Sequence, residues 1–195
     1  MAYVSRHQGE SRRRAMSKNA LESFIEGVRL VWGPLTSELI GNCHDLIEAL
    51  VKALPPEAWL AELHRELPET KELYRDPEHG FMLLVHAESR GRYRAPHDHG
   101  RGWVIYAVQQ GEMEIGTYMR TQGPDGRVRL VRRETYRVRP GEARVYLPGD
   151  IHDTRCTADS VLYYRFTDRD LKKDEAEGYP VTRYIEQDGV WTVRA

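Results

Sequence analysis

Cysteine is nearly missing from this 195-residue chain, where only Cys43 and Cys156 occur. Two thiols in separate segments do not make a disulfide framework, so a reducing, cytoplasmic setting is the expectation. Long apolar runs are missing too: no stretch approaches the roughly 18 residues a membrane span needs, and the first twenty residues have no apolar leader core. Net charge is also lacking, with 29 Lys+Arg against 30 Asp+Glu. No global field recruits nucleic acid or an anionic membrane, and partners must be sought in local sites.

What is present changes character along the chain. Residues 1–16 are polar, carry Arg6, Arg12, Arg13 and Arg14, and read as a flexible tail. From Leu21 apolar residues return at helical spacing through Val31, and Gly33-Pro34 stops them, predicting a helix over about 17–32. A second stripe runs from Leu35 to Leu54 through Leu39, Cys43, Ile47 and Leu50, with Thr36 as N-cap and Pro55-Pro56 as terminator. Cys43 falls on that stripe and reads as a small buried hydrophobe, with His44 beside it a solvated side chain. A third helix begins at Pro56 and ends before Pro68.

Beyond residue 80 the pattern becomes β. Short apolar or alternating runs at 81–85, 103–108, 112–120, 127–139, 143–147 and 161–167 are separated by glycine and proline turns. The arginines alternating with Val and Leu between Arg127 and Arg139 mark a strand with one wet face. The fold expected is mainly β, a barrel over 80–168 preceded by about three N-terminal helices spanning 17–68. Tyr179 to Ala195, centred on Asp188-Gly189, reads as a terminal hairpin packed on the barrel or on a second subunit, which leaves a homodimer open. Residues 17–195 are expected to form a single domain.

The chemistry concentrates in Ala95-Pro-His-Asp-His-Gly-Arg-Gly-Trp103. On a strand, His97 and His99 face one side and Asp98 the other, so two imidazoles can converge on one ion. Gly91 lies six residues before His97, Gly111 twelve after His99, and Gly141 and Leu147-Pro-Gly-Asp-Ile-His152 follow. These two halves resemble the signature of the cupin superfamily, whose fold is a double-stranded β-helix or jelly roll. The resemblance makes His97, His99 and His152 the metal ligands. Where metal cupins usually place a glutamate, this chain has Trp103 and Val104. Three neutral imidazoles leave a divalent ion its full charge, which favours anionic ligands such as a thiolate.

The H-D-H motif, the three histidines without glutamate, the spacing to His152 and the stretch Leu73 to Phe81 are similar to the cysteine dioxygenase family and the related mercaptopropionate dioxygenases. That resemblance implies an iron(II) dioxygenase oxidising a small thiol to its sulfinic acid with O2. Manganese, nickel or zinc are alternatives for the metal. The family's Ser, His and Tyr positions are occupied here by Leu162, Tyr164 and Phe166, and its cross-linking cysteine falls near Val104. Lys71 and Arg75 are the nearest cations to the family's carboxylate-binding arginine, with solvated loop charges as the competing reading. Trp103 is expected to wall the substrate pocket, or else to be a core residue. Tyr164 is the candidate catalytic hydroxyl, or else a structural hydrogen-bonding group. His64, His79, His86 and Cys156 match no part of either motif. Another metal-cupin enzyme, or a non-catalytic cupin binding a small ligand, remains open at this point.

Overall fold

The computed structural model describes residues 18–53 and 57–193. The tail expected over 1–16, and the Pro55-Pro56 boundary between the second and third helices, lie outside the described residues. Three helices come first: α1 (Ala20–Val31), α2 (Ser37–Val51) and α3 (Ala58–Glu66). The Thr36 hydroxyl accepts from Leu39 N at 3.1 Å, the cap its sequence position predicts. Asn19 caps α1, with Glu22 completing a capping box. Leu39, Cys43, Ile47, Leu50 and Val51 form the buried stripe of α2. Burial pushes the Cys43 thiol up to about 12, consistent with an inert core residue.

Nine strands follow: β1 (Lys71–Arg75), β2 (Met82–Ser89), β3 (Tyr93–His97), β4 (Val104–Gln110), β5 (Met113–Gln122), β6 (Val128–Val138), β7 (Ala143–Tyr146), β8 (Ile151–Cys156) and β9 (Ser160–Thr167). Their pairing is nested. β5 pairs with β6, β4 with β7, β3 with β8 and β2 with β9, all antiparallel. One antiparallel ribbon is thus wound upon itself, and the contacts β4–β9 and β5–β8 join successive windings. The windings divide into a five-stranded sheet ordered β1-β2-β9-β4-β7 and a four-stranded sheet ordered β3-β8-β5-β6. This topology is a double-stranded β-helix, or jelly roll. Gly111, one of the motif glycines, sits at the β4–β5 turn with φ +81°, where a Cβ would lie 2.0 Å from the Ser160 carbonyl oxygen. Only glycine allows that approach of the two windings.

The five-stranded sheet has two differently used faces. Its outer face carries Leu83, Val85, Ile105, Ala107, Leu162, Tyr164 and Phe166 against the stripes of α1, α2 and α3. Its inner face carries Val104, Tyr106, Val108, Val161 and Tyr163 into the sandwich, where they meet Met113, Ile115 and Val138 of the other sheet. After β9 the chain forms a short helix α4 (Leu171–Ala176), then β10 (Tyr184–Gln187) and β11 (Val190–Val193). The Asp188-Gly189 turn has positive φ at both residues, as a tight hairpin requires. This hairpin packs on the barrel: Tyr184, Trp191 and Val193 cluster with Tyr118, Leu130 and Ile151. Among the described residues no helix is long and apolar enough to cross a membrane.

Candidate metal centre

β3 ends at His97, and in the β3–β8 register His97 stands directly opposite His152. The chain then turns through Gly100 and Arg101 before β4, and that turn swings His99 back toward the same point. The three imidazoles form a nearly equilateral triangle, with ring centroids 4.8 Å apart for His97–His152 and 5.1 Å for the other two pairs. One donor nitrogen from each lies within 4.8 Å of the others, and no carboxylate joins the group among the described residues.

The environment keeps these rings neutral and aimed. Burial holds His97 below the usual histidine range, His99 down to about 2, and His152 well below the range. His97 Nδ1 lies 2.9 Å from the Ala95 carbonyl, which fixes the proton there and leaves Nε2 as the free lone pair. Tyr146 stacks on His152 at 4.0 Å between centroids, and Tyr106 meets it edge-on. His152 is fully buried, yet neither ring nitrogen has a hydrogen-bond partner. An orphaned imidazole inside a triangle of neutral donors fits a divalent metal, whose bond would satisfy the missing contact.

The triangle opens on a cleft of about 320 Å³ whose polar walls are Arg94, Arg165, Lys172, Glu175 and Arg183. Two of these cations are already neutralised. Arg94 pairs with buried Glu88 at 2.6 Å, and Tyr163 donates to the same carboxylate. Arg183 pairs with Glu175 at 2.8 Å. Arg165 has no ion pair among the described residues, and its Nε is buried without a partner. The hydroxyl of buried Tyr106 lies 3.2 Å from His99 Nε2.

The structure therefore brings together His97, His99 and His152, and leaves the other expected site residues elsewhere. Tyr164 lies on the helix-facing side of β9 beside Trp59, with its hydroxyl buried and unpaired. The inner positions of that strand are Val161, Tyr163 and Arg165, one residue out of phase with the expectation. Trp103 likewise faces outward, against Trp32 and Phe166. The Gly100–Gly102 turn breaks the strand alternation between His99 and β4, so Trp103 does not share the face of His99 and is the core residue that was the other expectation. Lys71 pairs with Glu66 and Arg75 with Glu72 and Asp170, and neither lines the cleft. Tyr106 and Arg165 were the residues sequence reasoning missed. A charged side chain inside the apolar run Val161-Leu-Tyr-Tyr-Arg-Phe166 was the available signal for the second.

No protein-family model and no curated protein matches the sequence. Among solved structures, a cupin domain of Cnp3 from Schizosaccharomyces pombe is similar at 13% identity over 56% of this chain and 66% of that one, with a TM-score of 0.42. KdgF from Halomonas sp. is 25% identical over 53% of this chain and 82% of that one, with a TM-score of 0.41. A double-stranded β-helix protein from Klebsiella pneumoniae is 17% identical over 51% and 75%, with a TM-score of 0.38. These likenesses cover about half of the chain and are of fold alone. The nested strand pairing identifies the chain itself as a jelly roll, and it holds a three-histidine cluster.

Proposed function

We propose that the chain holds iron(II) through His97, His99 and His152 and oxidises a small, anionic thiol with dioxygen to its sulfinic acid, both oxygen atoms ending on sulfur. The observation that carries this reading is a donor set of three neutral imidazoles, with no carboxylate among the described residues, beside a cleft lined by Arg165, a cation without an ion-pair partner there. When bound, the ion supplies the one-electron chemistry that dioxygen reduction requires. The remaining work falls to the chain. A divalent charge left whole by its ligands lowers the pKa of an approaching thiol and favours entry as thiolate. Arg165 lines the cleft without an ion-pair partner among the described residues, and its guanidinium is the cation for the anionic end of the substrate. Tyr106 holds its hydroxyl 3.2 Å from His99 Nε2, a contact that orients the imidazole. Leu171 and Val181 narrow the cleft, whose volume lies at the small end of ligand sites and suits a compact molecule.

The test is direct. Protein reconstituted anaerobically with iron(II) is mixed with cysteine, cysteamine or 3-mercaptopropionate while oxygen uptake and product mass are followed. One molecule of O2 consumed per thiol, with a sulfinate product, is the expected result. An iron-loaded protein that consumes no oxygen with any of these thiols would falsify the reading.

A further inference from the structure

Asp98, between two metal-site histidines, points away from them and is 9% exposed. Its Oδ1 accepts two backbone bonds at 2.9 Å, from Gly100 N in its own turn and from Thr182 N, 84 residues downstream. Its own amide returns a bond to the Thr182 carbonyl at 3.1 Å. Next to it, His97 forms an antiparallel bridge with Arg183. The segment from Arg169 to Arg183, which carries α4, is thus tied at Thr182 and Arg183 to the metal-site segment.

That segment is also the far wall of the cleft, contributing Leu171, Lys172, Glu175, Val181 and Arg183. Its attachment is mostly polar. Arg101 grips both oxygens of buried Asp174 at 2.7 and 2.8 Å and lies 3.6 Å over the Tyr179 ring. Arg75 reaches Asp170, the N-cap of α4. The approach is close enough to require glycine at position 100, where φ is +59° and a Cβ would lie 3.2 Å from the Pro180 carbonyl oxygen.

We propose that Asp98 is the positioning residue of this centre: its carboxylate fastens the His97–His99 turn to the 179–183 segment, setting imidazole spacing and cleft width together. The part concerning the metal rests on the reading above; the part concerning the segment does not. Without the carboxylate, the amides of Gly100 and Thr182 lose their acceptor, and the wall separates from the histidines it faces. Asparagine keeps an oxygen at the same place and retains both bonds, so charge is dispensable and geometry is not.

The experiment compares full-length wild type, Asp98→Ala and Asp98→Asn by amide hydrogen exchange of the metal-free protein and by cobalt(II) titration followed in the visible spectrum. In Asp98→Ala, exchange at Gly100 and Thr182 is expected to quicken about tenfold, and cobalt(II) affinity to fall at least tenfold, the scale typical of groups that orient ligands. The bands of bound cobalt(II) shift in the same variant, and Asp98→Asn restores all three readouts. Exchange and affinity within twofold of wild type in Asp98→Ala overturn the proposal. If the wild type takes up no cobalt(II), the metal reading falls, and amide exchange alone still decides the role of Asp98. If Asp98→Ala does not fold, Gly100→Ala presses on the same junction from the other side. Faster exchange at Thr182 in that variant supports the proposal, and unchanged exchange overturns it.

Discussion

Along β9, neighbouring residues serve two different chemistries. Leu162, Tyr164 and Phe166 turn outward into a layer of helices, where Phe24, Trp32, Phe81 and Trp103 surround the Phe166 ring. Val161, Tyr163 and Arg165 turn inward, where Tyr163 holds Glu88 and Arg165 reaches the cleft. The outer face is apolar and closed, and stabilises the fold by removing surface from water. The inner face is polar near the histidines and tolerates unpaired atoms, because a ligand can satisfy them. A strand period of two separates scaffold from site by a single residue, so the comparison can be attacked one position at a time.

The largest effect is expected at His152. His152→Ala removes the one ligand that comes from the second half of the ribbon, and the variant should retain no iron after desalting, as metal analysis would show. The cavity left beside Tyr146 should also lower its melting temperature, so metal content is read on the folded variant. Acid comes next. His86 is buried against Tyr163 and held down to about 3, by burial first and then by Arg165 and Arg94. A histidine depressed in the folded state contributes stability that is whole above its unfolded value near 6.5 and is lost as pH falls below it. The slope is ~1.4 kcal/mol per pH unit for each such histidine, and His97, His99 and His152 add to it in the metal-free protein. Urea unfolding between pH 7 and 4 should show this limb, and His86→Gln should make it shallower.

On the outer face, Phe166→Ala should cost about 3–5 kcal/mol of stability, while iron affinity measured on the folded variant stays unchanged. A fall in metal affinity there would break the separation of the two faces. On the inner face, Arg165→Gln should weaken binding of 3-mercaptopropionate to the metal-free protein about tenfold, by loss of a charged hydrogen-bonding partner. Its thermal stability should barely move. The smallest effect belongs to Tyr164→Phe. Its hydroxyl is buried without a partner, so removal should change stability by under about 1 kcal/mol and leave oxygen consumption intact.

The helices were legible because their stripes and caps are local. Thr36 and the α2 stripe need only a dozen residues to recognise, and the observed bounds fall within a few residues of those expected. The histidine cluster was legible for another reason: turn glycines and H-x-H spacing record the ribbon's shape in sequence. β1, β3, β8 and α4 left little trace. β3 has one buried residue in five, and α4 one buried residue in six, so neither writes a hydrophobic period. The inner and outer faces of β9 are both buried, which erases alternation and left the placing of Tyr164 to the family resemblance alone. Lys71 and Arg75 lie at the sheet edge in ion pairs that depend on α3, β1 and α4 together, a combination no local pattern reports.

The nested pairing has a kinetic consequence. His97 and His152 face each other only after everything between them, β4 through β7, has been folded back, so their meeting closes one of the longer loops in the ribbon. Such closures are entropically costly and come late. A metal that binds the finished triangle and not the open chain rewards that late step alone, adding stability in proportion to the logarithm of its concentration over its dissociation constant. Metal supply would then act as a check on completed winding. Chains arrested with the β5–β6 hairpin formed but the ribbon unclosed carry the same histidines and gain nothing from them.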